Sequence, residues 1–280
     1  MNKEPFIKNN DELLHLDSWQ HLSSPLVVGF TTKDTSYGSS IEAYASFNLG
    51  VHVNDKHEHV MMNRTKLGET LSYPIHKWVC AEQVHEATVA KVTTDDKGKG
   101  IYVYEEGIRG TDGIYTREKD VLLTSCYADC VPLYFYAPKH DAIGLAHAGW
   151  KGTVKNIAGE MIQVWTEDEH IPLEDIHVAI GPCIHACCYI VDDRVINAVK
   201  EILPANQHAS VYEQVSDGQY RIDLQEVNRL LFVNMGIPKE QITLSSYCTS
   251  CEDKLFFSHR RDKGKTGRML SFIGFKGEGM

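Results

Sequence analysis

Apolar positions along this 280-residue chain fall into short runs with two different periods. Runs at 26–32, 78–80, 88–92, 121–125, 131–136, 143–146, 177–180 and 242–247 are rich in branched and aromatic residues bounded by turn formers, which predicts strands. Four other segments repeat at helical spacing. Val60, Met61, Arg64, Leu67 and Leu71 follow Asp55 and Glu58, a pair that reads as a capping-box start. Val154, Ile157, Ala158, Met161, Ile162 and Trp165 form a second stripe. Val195, Ile196, Val199, Ile202 and Leu203 form a third, stopped by Pro204. Asp223 and Glu226 open a fourth that carries Leu224, Val227, Leu230 and Leu231 and ends at Gly236 and Pro238. Strands and helices without strict alternation predict an α+β fold, with mixed sheets in layers and helices packed on them. The solvated stretch 93–100 and the softer region 204–219 are too short to divide domains, so residues 1–280 read as a single domain.

Composition narrows the function classes. Hydrophobic residues are 42% and charged residues 24%, which fits a chain with a packed core and excludes disordered and collagen-like classes. The net charge of −10 argues against a nucleic-acid partner, whose phosphates need clustered cations, and against an anionic membrane surface. No apolar run reaches the about 18 residues of a membrane helix, and residues 1–7 lack a secretory pattern. A cytoplasmic protein, monomeric or a homodimer, is expected. The eight cysteines then read as reduced thiols rather than a disulfide framework.

Three segments place a metal-type side chain just beyond an apolar strand: His85 after 78–80, Cys130 between two strand-like runs, and His147 after 143–146. Two imidazoles and a thiolate suit Zn2+ and leave a fourth position open for water or substrate. The alternative is one buried cysteine and two hydrogen-bonded histidines.

The ordered runs Ser46-Phe47-Asn48-Leu49-Gly50, Gln83-Val84-His85, Thr111-Asp112-Gly113, Ala128-Asp129-Cys130-Val131-Pro132 and His147-Ala148-Gly149-Trp150-Lys151-Gly152 carry a further signal. With Ile180-Gly181-Pro182-Cys183, Cys187-Cys188-Tyr189, Cys248-Thr249-Ser250-Cys251 and 256–262, the chain resembles the bacterial YlmD/YfiH family, historically labelled laccase-domain or polyphenol oxidase proteins. The resemblance spans about 26–275 and leaves a short N-terminal extension. It implies a purine nucleoside phosphorylase with adenosine deaminase activity, taking purine nucleosides and phosphate at a catalytic zinc on His85, Cys130 and His147. Copper is less expected: a trinuclear cluster needs several His-x-His pairs, and 14 histidines supply one, His57 with His59.

Other residues carry paired expectations. Asp129 is either a general acid for the leaving purine or a partner that holds a metal ligand. Asn48 either contacts ribose or base, or serves its turn. Arg260 and Arg261 open a basic run to Arg268 and are candidates for phosphate, which guanidinium grips in bidentate fashion. Cys248 and Cys251, spaced Cys-x-x-Cys, carry two readings, a structural zinc or redox pair and buried thiols; without a matching second pair they read, with Cys183, Cys187 and Cys188, as buried thiols. Two further functions compete with the zinc enzyme. One is a metal-independent cysteine hydrolase using Cys130 and His147. The other is a non-catalytic zinc protein whose fourth ligand is Cys126 or His140.

Overall fold

All seven residues of the strand Val131–Ala137 are buried, and their alternation shows how the layers stack. Val131, Leu133, Phe135 and Ala137 face one core, whereas Tyr134 and Tyr136 face another. A strand covered on both faces reads as a continuous apolar run, which is what the sequence has here. The computed structural model describes residues 3–9, 12–20, 22, 26–33 and 35–277.

Among the described residues, strands form two six-stranded sheets and a three-stranded one. The first sheet runs, in spatial order, Phe6–Lys8, Leu14–Leu16, Leu26–Phe30, Met269–Phe275, Leu122–Tyr127, Trp78–Cys80. The second runs Ile242–Leu244, His177–Ile180, Val131–Ala137, Ala142–Ala148, Gly113–Thr116, Val89–Lys91. Both sheets are mixed: most neighbours are antiparallel, but Trp78–Cys80 lies parallel to Leu122–Tyr127, and Val89–Lys91 parallel to Gly113–Thr116.

The two large sheets share the core that contains Val28, Phe30, Leu123, Tyr127 and Ile273 from one side and Tyr134, Tyr136, Ile143 and Leu145 from the other. Tyr134 Oη crosses this core and donates to the Gly29 carbonyl at 2.8 Å, so the buried hydroxyl is satisfied. The helix His57–Thr70 covers the outer face of the first sheet through Leu67, against Trp78, Leu122 and Phe272. The helices Ile157–Gln163, Asp193–Ile202 and Leu224–Asn234 cover the outer face of the second through Met161, Val199 and Leu231. The α+β layering expected from the sequence is therefore the observed architecture.

Differences lie in detail. The helix at 154–165 is two short helices, Trp150–Val154 and Ile157–Gln163, continued by a π-helical turn Val164–Asp168. Its restart is capped by Asn156, whose side chain accepts from the Gly159 amide. Asp223 does cap its helix, accepting from the Glu226 amide at 2.9 Å. Asp55 does not cap the helix that follows it. Its carboxylate is taken by Ser40 Oγ at 2.6 Å and Asn48 Nδ2 at 2.9 Å, so it ties a neighbouring loop instead.

Arg64 is buried within that helix, and its guanidinium replaces water for three carbonyls. Nε donates to Leu49 at 2.9 Å, and Nη1 to Gly100 at 3.2 Å and Ile101 at 2.5 Å. Arg64→Met keeps the aliphatic bulk but leaves the carbonyls unpaired, so stability should fall by about 3 kcal/mol. Urea midpoints at constant slope measure it. A loss below about 1 kcal/mol would show that water takes over these carbonyls.

Candidate metal centre and adjoining cleft

His147 lies one residue from the end of Ala142–Ala148 and is paired with Pro132 on the adjacent strand. That register sets it beside Cys130, the last residue of the turn joining Leu122–Tyr127 to Val131–Ala137. His85 arrives from a different place, the loop after Trp78–Cys80. In that loop Gln83 and His85 hold positive φ of 58° and 63°, conformations that cost non-glycine residues energy unless the surroundings compel them.

The compelling group is Asp112, at the threshold of the strand Gly113–Thr116 and fully buried. Its carboxylate accepts three successive amides, from Val84 at 3.0 Å, His85 at 3.0 Å and Glu86 at 2.8 Å. The same carboxylate lies 2.9 Å from His147 Nδ1. Burial alone would push the Asp112 carboxyl up, but the His147 charge and the amide donors outweigh it and hold the carboxyl below its ordinary value. With Nδ1 committed to Asp112, His147 presents Nε2 toward Cys130 and His85, the arrangement common to metal-binding histidines.

Nitrogen and sulfur donors of His85, Cys130 and His147 lie within 4.8 Å of one another. The two imidazoles meet edge to face, with centroids 4.7 Å apart at 85°. Gly149 makes room for this approach, because a Cβ there would stand 3.0 Å from His85 Cδ2 and 3.1 Å from Cys130 Sγ. Burial pushes the Cys130 thiol up, but the His147 charge and hydrogen bonds from both histidines outweigh it and bring it down to about 6. Burial likewise opposes the imidazolium of His147, yet the Cys130 thiolate and Asp112 hold it up, to about 10. A thiolate already formed, and an imidazolium proton that a cation can displace, fit a divalent metal. Sulfur with two nitrogens fits the donor preference of Zn2+. Neither residue considered as a fourth ligand joins the set. His140 pairs with Asp175 at 3.0 Å, and Cys126 lies against Cys80.

A cleft of about 550 Å³ opens from this trio. His52, Trp150, Lys151, Tyr189, Arg260 and Arg268 are among its walls. The Arg260 guanidinium stacks 4.9 Å from the Tyr189 ring centre and donates to the Ile190 carbonyl, so the cation is held in place rather than trailing in solvent. Arg268 is held by the Thr266 and Gly267 carbonyls. Burial, with Arg268 and Arg64 nearby, pushes His52 down to about 4, so it faces the cleft as neutral imidazole.

The remaining sequence candidates resolve individually. Arg261 does not line the cleft. Its guanidinium donates to the Thr249, Ser250 and Phe256 carbonyls and pairs with Asp262 at 2.8 Å, which spends it on loop structure. Asn48 is fully buried and serves its turn, with Oδ1 accepting the Gly50 amide at 3.0 Å and the Arg268 amide at 2.8 Å. It contacts no cleft space and instead places Arg268. Asp129 accepts from Thr249 Oγ1 at 2.7 Å, Ser258 Oγ at 3.0 Å and the Arg260 amide at 2.7 Å, contacts suited to holding the Cys130 loop. Cys183 and Cys248 are buried as expected, but Cys187 and Cys251 are exposed and Cys188 is half-buried, contrary to the buried-thiol expectation. Asp112 and Arg268 were not singled out by sequence. The only signal was membership of the Thr111-Asp112-Gly113 motif and of the basic run.

Residues 27–276 match the family described as multi-copper polyphenol oxidoreductase laccase. The purine nucleoside phosphorylase YlmD of Geobacillus stearothermophilus is 50% identical over 252 residues, which cover 90% of this chain and 91% of that protein. Its namesake in Bacillus subtilis is 46% identical over 275 residues, covering 97% and 98%. The crystal structure of YlmD from Geobacillus stearothermophilus matches at a TM-score of 0.94 with 46% identity, over 98% of this chain and 100% of that one. That of the Bacillus licheniformis hypothetical protein YfiH matches at 0.92 with 45% identity, over 98% and 100%. The chain belongs to this family. The copper wording of the family description finds no three-copper site here. His57 and His59 are engaged with Tyr102 and near Asp55, and among the described residues histidines join only one metal-capable group.

Asp112→Asn preserves shape but replaces an acceptor of four donors with an amide that cannot accept them all. Zn2+ affinity should fall about 10- to 100-fold, measured by competition with a chromogenic chelator. Unchanged affinity would show that the His85 loop and the His147 ring are set without the carboxylate.

Proposed function

We propose that the chain is a purine nucleoside phosphorylase that also deaminates adenosine, with Zn2+ held by His85, Cys130 and His147. Inosine, adenosine and methylthioadenosine would be cleaved to the free base and the corresponding ribose 1-phosphate. One observation carries the reading: the His/Cys/His trio opens into the same cleft as Arg260, Arg268 and Lys151, in a chain of net charge −10. A cleft that collects cations in an acidic protein is suited to an anionic co-substrate. The names of the relatives agree with the phosphorylase part.

Bound there, Zn2+ would supply Lewis acidity toward a heteroatom of the base or toward water. The protein's own side chains do the rest. Tyr189 and Trp150 offer aromatic faces to a purine. Arg260 and Arg268, each fixed by carbonyl contacts, would hold phosphate at C1′ of the ribose. In phosphorolysis a phosphate oxygen bonds to C1′ as the bond from C1′ to the purine nitrogen breaks, and the purine leaves with the electron pair and takes up a proton. In deamination, oxygen from water replaces the amine at C6 and ammonia departs. We read Asp129 as a positioning residue for Cys130 and Arg260. The reading treats residues 1–280 as one domain acting in the cytoplasm; among the described residues, no helix is long and apolar enough to cross a membrane.

A second reading also has an observation behind it. Asp112, His147 and Cys130 are connected in the order of an orienting acid, a base and a nucleophile, with Asp112 and His147 2.9 Å apart. A cysteine hydrolase built on them would survive thorough chelation, whereas the zinc enzyme would lose activity and regain it with added Zn2+.

Incubation of the zinc-loaded protein with the three nucleosides, with and without phosphate, followed by chromatography, tests the proposal. Release of free base that requires phosphate supports phosphorolysis. Base release without it, or none, overturns that part. Inosine formed from adenosine without phosphate tests the deaminase separately.

The two arginines of the basic run should behave differently. Arg268→Ala should weaken phosphate by about 1.5–3 kcal/mol, about ten- to a hundredfold in its apparent affinity, with Zn2+ content unchanged. Arg261→Ala should leave the phosphate requirement near wild type and lower thermal stability. Equal effects on phosphate would return the anion site to the loop as a whole.

A further inference from the structure

Four cysteines outside the cleft form a second donor cluster. Cys187 and Cys188 follow the turn after His177–Ile180, and Cys248 and Cys251 sit in the turn after Ile242–Leu244. These strands are parallel neighbours, with Ile180 opposite Leu244, and the pairing is extended beyond them by a bridge between Cys183 and Cys248. The Thr249 amide donates to the Cys183 carbonyl at 2.9 Å, and the Cys188 amide to that of His185 at 3.0 Å. The two turns are therefore fixed against one another by backbone, and the cysteines meet at their tips.

All four sulfurs lie within 4.8 Å of one another. Cys187 Sγ is 3.6 Å from Cys248 Sγ and 3.4 Å from Cys251 Sγ, and Cys188 Sγ is 3.4 Å from Cys251 Sγ. A disulfide would need about 2.05 Å, so these are not bonded pairs. Four thiolates at about 2.3 Å from one tetrahedral ion stand about 3.8 Å apart along each edge, close to the separations seen. An iron–sulfur cluster places several irons and sulfides between its thiolates and needs a wider mouth than this.

Two further contacts support the cluster. The His185 amide donates to Cys248 Sγ at 3.4 Å. Arg261 places its guanidinium on the Thr249 and Ser250 carbonyls, inside the Cys248-Thr249-Ser250-Cys251 turn, and so holds the backbone that carries two of the sulfurs. Exposure argues the same way. Thiols that fill a core are buried, whereas Cys187 and Cys251 face solvent and pack on sulfur rather than on apolar neighbours.

We propose that Cys187, Cys188, Cys248 and Cys251 bind a second Zn2+, structural and closed by four thiolates, independent of the one assigned to His85, Cys130 and His147. Its effect is to staple the two turns that wall the cleft. Tyr189 directly follows Cys188, and Thr249, between the paired cysteines, holds Asp129 beside Cys130.

Metal analysis of protein purified under reducing conditions tests this. Wild type should carry about two Zn2+ per chain, and Cys187→Ser with Cys251→Ser about one, while Cys130→Ala should lose the other ion and keep this one. The double variant should also melt at lower temperature. Because it could fail to fold, Co2+-substituted wild type provides a second measurement: a tetrathiolate site gives intense sulfur-to-cobalt charge-transfer absorption and tetrahedral ligand-field bands, which a stoichiometric second equivalent of Co2+ should develop. One metal ion per wild-type chain, retained in the double variant, would overturn the proposal. So would iron in place of zinc, a mass lower by two hydrogens for each cross-link, or a second equivalent of Co2+ without the thiolate bands.

Discussion

The carboxylate of Asp112 sits where the protein interior tolerates a charge least, and the geometry of the His85, Cys130 and His147 trio depends on how that charge is satisfied. A buried carboxylate without partners is costly enough to stay out of a core. Here the donors that satisfy it are the amides of the His85 loop and the ring of His147. Satisfying one charge thus fixes two imidazoles. The left-handed conformations of Gln83 and His85 are sustained by the same bonds, so the strain in the loop and the burial of the carboxylate offset one another. Cys130 is placed by other means: strand pairing carries it to the end of the Ala142–Ala148 strand, and the neighbouring Asp129 is held by Thr249, Ser258 and Arg260.

Apolar runs made much of this architecture readable from sequence, and burial explains which parts. Strands covered on both faces, such as Val131–Ala137 and Ala142–Ala148, are apolar nearly throughout, and the sequence reads them at 131–136 and 143–146, stopping just short of His147 in the second. Met269–Phe275 sits in the middle of the first sheet, yet its sequence does not stand out as a strand. Its Ser271 hydroxyl is spent on Tyr127 Oη, and its Gly274 lies against Leu122, so the polar and small residues that interrupt its pattern are contact solutions rather than turn signals. The strands Tyr212–Ser216, largely exposed, and Gln219–Ile222, with only Ile222 buried, escape the sequence pattern for the opposite reason: they carry little apolar signal.

The site was legible to the extent that its chemistry is rare. Histidine and cysteine at strand ends stand out, whereas Asp112 is one acid among 38 and has no mark of its own. Arg260, Arg261 and Arg268 belong to one run, and only folding separates them. Asn48 draws Arg268 to the cleft, while Asp262 and three carbonyls draw Arg261 away. Cysteine pairs far apart in sequence gave no hint of meeting, because their encounter rests on the parallel pairing of His177–Ile180 with Ile242–Leu244.

Asp129 is where these arrangements join. It accepts from Thr249, which lies within the turn of paired cysteines, from Ser258, and from the amide of Arg260. Its own backbone holds φ of 88° immediately before Cys130, and its carbonyl accepts the Ile184 amide at 3.0 Å. A shift of the 245–251 turn therefore cannot leave the thiolate and the cationic wall untouched. Such coupling comes from rigid, fully paired neighbours rather than from a moving part. Three donors engage both oxygens of the carboxylate, so displacing any one of them leaves a buried charge less well satisfied. That penalty is what ties the position of Cys130 to that of Arg260, and it makes the spacing between the His85, Cys130 and His147 trio and the cationic wall of the cleft a fixed property of the fold.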